Sequence, residues 1–340
     1  MRKLFAVLAL FLTLCGCAAP KKEVGREEKT AGEPAVIGVW ISCFELEAML
    51  SGGNFREEFA AAATKLGEAG ATDAFVHVRA FGDSLFESEY YPQKQSAKQY
   101  GFDLIEYMTE TLAAKNIRFH AWINPFRSES SGFLDPADES VRARILLGVR
   151  EIAERYDISG VHFDDYFYPS AEDSADAASL DAYKSAAGCA LPTDDYRRSV
   201  ITAFIFAAKS AAKCRDENVI FSVSPAAGIE KNETSAFADV KKWCALGAVD
   251  WIIPQLYFGF DYPLREYRFN NLLARWKTLE RAEGVKLIIG LAAYKVGTAK
   301  EPDAAEWKEN GAGVLRRQKE ICLNDADLSG IALFSYSYIG

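Results

Sequence analysis

Histidine is scarce in this chain, at three residues in 340, and no HxH or HExxH pairing is present. The usual zinc signatures, with two imidazoles on one strand or one helix face, are therefore excluded. No GxxxxGK[ST] segment occurs, and no glycine-rich loop follows the first apolar strand pattern, so neither common phosphate cradle is there. Basic runs are missing too: 39 Lys and Arg face 48 Asp and Glu, for a net charge of −9. An acidic chain without a basic stretch argues against nucleic acid and against electrostatic binding to anionic lipid. Cysteines are few. Beyond Cys15 and Cys17 there are five, Cys43, Cys189, Cys214, Cys244 and Cys322. An odd set, with Cys43 inside an apolar pattern, reads mostly as buried free thiols rather than a disulfide framework.

What is there begins with an export pattern. Arg2 and Lys3 precede an apolar run, Leu4 to Leu14, that is short for a membrane span. It ends in Leu14-Cys15-Gly16-Cys17, which resembles a bacterial lipobox, so residues 1–16 are expected to be a lipoprotein signal with lipidation at Cys17. Loss of Arg2 and Lys3 would take the net charge from −9 to −11. Residues 17–35 are polar and charged, too poor in large apolar side chains to offset their ordering entropy, and read as a tether. The expected location is extracytoplasmic, on a bacterial membrane through that anchor.

From residue 36 to 340, short β-type runs alternate with longer helical patterns. The strand set is Val36–Ser42, Thr72–Arg79, Ile117–Asn124, Ile158–Asp164, Val219–Ser224, Val249–Tyr257, Lys286–Ala292 and Gly330–Tyr336. Helices are expected over Phe55–Glu68, from near Asp103, from about Ser140, and after a cap at Thr193. Eight strand–helix units are what a closed barrel requires, and runs such as VDWIIPQLY and KLIIGLAAY are apolar enough for parallel strands buried on both faces. The fold class is α/β, a single (β/α)₈ barrel.

Chemistry in such barrels sits at the C-terminal strand ends, and i, i+2 alternation says which residues point inward. On that parity His77 and Arg79, His120, Trp122 and Asn124, and His162 and Asp164 face the axis. Asp83, Arg127, Asp165 and Tyr166 lie at the rim. The three histidines suggest a metal site or a polar supporting layer; lying one layer below the rim, they read as support, with neither metal nor cofactor expected. Asp164 and Asp165 are the candidate catalytic pair, because neighbouring carboxylates cannot both ionise cheaply and a raised carboxyl pKa suits a general acid. Trp40, Trp122, Tyr166, Phe167, Tyr168, Tyr257 and Tyr294 gather at strand ends, and rings with polar handles suit sugar faces and hydroxyl edges.

GVWIS at 38–42, HVRAFGDSLF at 77–86, FHAWINPFR at 119–127, YDISGVHFDDYFYP at 156–169, FSVSPAAGI at 221–229, VDWIIPQLYF at 249–258 and GLAAYKVG at 290–297 together resemble glycosyl-hydrolase-like family ten. The resemblance implies a bacterial, often lipoprotein-type glycoside hydrolase associated with cell-wall glycan, including peptide-free peptidoglycan. It implies that Asp164 and Asp165 are the paired aspartates. Arg79, Asp83, Asn124, Arg127, Gln255 and Tyr257 fall on its other recurring strand-end positions. This chain departs from it at Glu230-Lys231-Asn232 and in GFDYPLREY, both expected to line substrate subsites. Two schemes stay open. Asp164 is a nucleophile partnered by Glu45, Asp83, Glu230 or Asp261, or the substrate's acetamido group attacks with help from the adjacent pair and Tyr257. The substrate binders expected are Trp40, Glu45, Arg79, Asp83, Trp122, Asn124, Arg127, Tyr166, Gln255, Tyr257 and Tyr294. Rival readings are a non-catalytic glycan-binding barrel and a metal-dependent hydrolase.

Overall fold

Eight parallel strands close on themselves in a computed structural model that describes residues 34–128, 132–168, 176–186, 188, 190–298 and 303–339. They are β1 Val36–Ile41, β2 Asp73–Arg79, β3 Arg118–Ile123, β4 Gly160–Phe163, β5 Ile220–Val223, β6 Trp251–Ile252, β7 Lys286–Ala292 and β8 Gly330–Phe334. Each pairs with its neighbours in sequence, and β8 pairs back to β1 with Val36 opposite Gly330. The residues from Pro34 onward form one unit. The signal segment with Cys17, residues 17–33 of the tether, and Cys189 lie outside the described residues.

Around the strands run α1 Cys43–Ser51, α2 Phe55–Glu68, α3 Leu104–Ala113, α4 Glu139–Arg155, α5 Ala177–Ala186, α6 Thr193–Ala212, α7 Ile229–Ser235, α8 Val240–Ala245, α9 Phe269–Lys277 and α10 Ala304–Leu323. Outward-facing strand residues such as Val39, Val161, Phe163 and Phe221 join the apolar layer under these helices. Burying such a side chain stabilises by about 1.5–3 kcal/mol before the entropy of ordering is subtracted. A second apolar cluster, with Trp40, Phe75, Trp122, Trp251 and Ile288, fills the barrel axis.

Local chemistry explains the boundaries. Asp103 caps α3 by accepting from the Ile105 and Glu106 amides, as its sequence position suggests. Thr193 is a first helical residue of α6 and not its cap, since Pro192 precedes the helix with no side-chain cap bond. The expected strand over 249–257 is paired as a strand only at Trp251 and Ile252. Pro254 has no amide to donate, so the ladder breaks there and resumes as an isolated bridge at Gln255. Helix α1 was not anticipated. Its signal is Ser42-x-x-Glu45, a capping box in which the Ser42 hydroxyl accepts from the Glu45 amide and the Glu45 carboxylate accepts from the Ser42 amide.

Candidate active site

Asp164 follows the last residue of β4, whose outer face is anchored by Phe163 against Phe204 and Phe221. The side chain therefore points along the barrel axis into the mouth. There it is 3% exposed, accepting from the Trp122 indole N–H at 3.2 Å and the Tyr166 amide at 3.4 Å. Burial, then the neighbouring Asp165, holds its carboxyl well above the usual range. Burial also raises Asp165, against the lowering pull of Gln255, Lys231 and Arg127. Two adjacent carboxyls displaced the same way titrate as a pair that keeps a proton to higher pH than a free aspartate.

The mouth is a cavity of about 250 Å³ walled by this pair, the Trp40 and Trp122 indoles, Asn124, Arg127, Tyr166, Gln255, Tyr257 and Tyr294. It continues into a second cavity of about 390 Å³, and Asp165, Gln255, Tyr257 and Tyr294 border both. Asp164 borders only the first. The Tyr257 ring meets Tyr294 edge-on at 5.9 Å, and its hydroxyl bonds no other group among the described residues. Burial, with Tyr294 and the two carboxylates, holds that phenol well above its ordinary value, so it remains an O–H donor. The Arg127 guanidinium lies 4.4 Å from the Tyr166 ring centroid and has no carboxylate partner among the described residues.

Three expected binders sit elsewhere. Arg79 follows a register shift in β2: His77 pairs with Trp122, but Arg79 pairs with Ile123, which reverses its facing. It is buried outside the barrel wall, donating to the Asn124 and Pro125 carbonyls and stacking on Tyr91. Glu45 is spent on the α1 capping box and on the Ser335 hydroxyl and Ser337 amide. Asp83 borders neither cavity and faces Lys94 at 3.7 Å. Among the rings, Phe167 packs on Trp243 and Tyr168 on Phe237, away from the mouth.

The histidines do lie on the axis, and the bonds they make run sideways between strands. His120 meets Asp73 at 2.7 Å, and His162 meets Ser222 at 2.8 Å and accepts from Trp40 Nε1 at 3.0 Å. Among the described residues neither ring nitrogen of His77 has a hydrogen-bond partner of good geometry; it stacks flat on Trp122 at 3.7 Å and supports that ring by contact. Burial, then the charges of Arg127 and Arg79, keeps it neutral. Residues not anticipated at the mouth are Ser42, Cys43 and Phe44 from α1, with Phe81, Ser224 and Phe334. The capping-box pattern was the available signal for the first three. Cys43, Cys214, Cys244 and Cys322 are free thiols; Cys244 and Cys322 are buried, Cys43 is half-buried and Cys214 is exposed.

The family model described as glycosyl hydrolase-like 10 matches residues 128–309. The chain belongs to this family. Proteins similar to the chain include glycosyl hydrolase DigH of Escherichia coli (strain K12), 28% identical over 329 residues, covering 79% of this chain and 73% of DigH. Glycosyl hydrolase YngK of Bacillus subtilis (strain 168) is 27% identical over 304 residues, and the match spans 74% of this chain and 58% of YngK. Among solved structures, the PgaB (BpsB) glycoside hydrolase domain from Bordetella bronchiseptica superposes with a TM-score of 0.60 at 13% identity, over 88% of this chain and 94% of that one. A Chromobacterium violaceum chitinase does so with a TM-score of 0.54 at 14% identity, over 90% and 96%. At those identities the likeness is one of fold, the barrel of glycoside hydrolases.

Proposed function

We propose that the protein is a cell-envelope glycoside hydrolase that cleaves N-acetylated glycan, with peptidoglycan glycan strands as its substrate, by substrate-assisted catalysis. The observation that carries this reading is the position of the carboxyl pair: Asp165 stands where two cavities meet, and Asp164 is confined to the first. A sugar in the first cavity and its neighbour in the second bring their shared oxygen beside Asp165. Its carboxyl donates the proton to that leaving oxygen. The acetamido oxygen of the first sugar attacks the anomeric carbon as the glycosidic bond breaks, forming a cyclic oxazolinium ion. Asp164 accepts from the acetamido N–H and offsets the positive charge, and the Tyr257 hydroxyl donates to the acetamido oxygen. An N–H donated to Asp164 favours its ionised form, which leaves the proton of the pair on Asp165. Water then opens the ring, and Asp165 takes a proton back.

This route needs no second-strand carboxylate, and of the four candidate partners Glu45, Asp83, Glu230 and Asp261 none borders either cavity. Relatives named glycosyl hydrolases and a chitinase of the same fold support it. The proposed setting is extracytoplasmic, tethered by residues 17–35 from a lipid on Cys17; fatty-acid labelling lost in Cys17→Ser tests that part. The activity is tested with peptide-free peptidoglycan strands and mass spectrometry of released fragments. Release of fragments by the wild type, lost in Asp164→Asn and Asp165→Asn, is the expected result. Full activity in both variants sinks the assignment, and wild-type affinity without turnover would make the protein a glycan-binding barrel.

A further inference from the structure

The second cavity has its own construction. One wall is the chain from Ala226 to Gly228, pinned by the Asn232 side chain, which accepts from the Ala226 amide at 3.1 Å and donates to its carbonyl at 2.7 Å. The Trp276 indole donates to the Ala227 carbonyl at 2.8 Å from behind. The opposite wall is aromatic: Phe258 meets Tyr262 at 4.8 Å and Tyr267 at 5.2 Å. This is a rigid cleft with rings on one side and polar main chain on the other, the surface composition that takes a pyranose.

Its charges are uneven. Two lysines border it, and they differ. Lys295 is neutralised by the buried Asp303 carboxylate at 2.9 and 3.0 Å. Lys231, on α7, is exposed and makes no hydrogen bond or ion pair among the described residues, and its charge is felt by Asp165. A chain of net charge −9 thus leaves an uncompensated ammonium over the cavity into which the leaving part of the glycan extends.

We infer that the second cavity is a subsite for a sugar bearing a free carboxylate, and that Lys231 is the residue that selects it. The inference rests on the proposed glycosidase reading only for the direction of the chain through the cleft. In peptide-free peptidoglycan the carboxylate is the lactyl group of the muramic sugar, exposed once its peptide is gone. A neutral N-acetylated glycan offers the ammonium no opposite charge, so Lys231 sets preference among substrates and leaves the bond-breaking step to Asp164 and Asp165. It is a specificity residue.

The test measures binding, so that it stands apart from turnover. The full-length Asp164→Asn chain is titrated calorimetrically with short peptide-free strands and with the same strands after chemical reduction of the lactyl carboxylate to an alcohol. The comparison is repeated with Lys231→Ala and Lys231→Arg in that background. Expected is a loss of about fivefold in affinity for the acidic strands in Lys231→Ala, the worth of one partly exposed charge-assisted contact. Recovery in Lys231→Arg and no change for the reduced strands complete the pattern. Equal loss on both strands, or none on either, overturns the inference. If the affinities follow this pattern while the wild type releases no fragments, the subsite stands and the glycosidase reading falls.

Discussion

Around Asp164 the protein makes one contact to each carboxyl oxygen, which leaves acceptor capacity on both for a substrate. The Trp122 N–H holds Oδ2, and the weaker Tyr166 amide contact reaches Oδ1. Asp165 has the complementary position, at the rim with its carboxyl facing both cavities. Replacing it with Asn removes the proton donor, and a drop in kcat of about 10²–10⁴ is expected on natural glycan. The same variant on an aryl glycoside, whose leaving group needs no proton, should recover most of its rate; a steady-state comparison of the two substrates checks this. Asp164 makes a prediction of opposite sign for stability. A carboxyl whose folded pKa lies above its unfolded one costs nothing below the unfolded value, where both states are protonated. Its penalty grows as pH rises from there to the folded value, then levels off. Asp164→Asn should therefore raise the melting temperature at pH 7 and lose that advantage near pH 4, measured by calorimetry across the range.

At the scale of elements, strand alternation places His120, Trp122, Asn124, His162 and Asp164 correctly because β3 and β4 are regular up to their last residues. It misplaces Arg79 because β2 shifts register between His77 and Arg79, and nothing in DAFVHVR announces a bulge. Asp83 and Glu45 failed for another reason: a carboxylate near a strand end has the same composition whether it caps a helix or faces a ligand. Glycine at 160 shows how tightly the layer below the site is built. A Cβ there would lie 2.2 Å from His120 Nδ1 and 2.8 Å from the Ile220 carbonyl oxygen, so backbone or a packed ring must move. Gly160→Ala is expected to destabilise by about 1–3 kcal/mol. It should also loosen the His120–Asp73 contact, which histidine NMR in the variant would show as a shifted imidazole resonance.

For the whole molecule, the residues from Pro34 to Gly340 carry the barrel and both cavities. A chain beginning at Pro34 should match the full-length protein in melting temperature and in kcat on soluble glycan fragments; a shortfall in either, by calorimetry or turnover assay, would assign residues 1–33 a part in the fold. The amino-acid order by itself determined the alternation of eight apolar runs with amphipathic helices, hence the closed parallel sheet, and it marked the adjacent aspartates at the end of one run. Both follow from short-range periodicity, which the chain carries locally. Only the tertiary structure decided which rim residues meet. The Pro254 break and the Ser42–Glu45 cap are local, but the bulge that turns Arg79 outward and the meeting of Gln255, Tyr257 and Phe44 at one mouth depend on neighbours far along the chain. Pairing across a barrel is a long-range event, so the separate cavities on either side of Asp165 are a property of closure and not of any one segment.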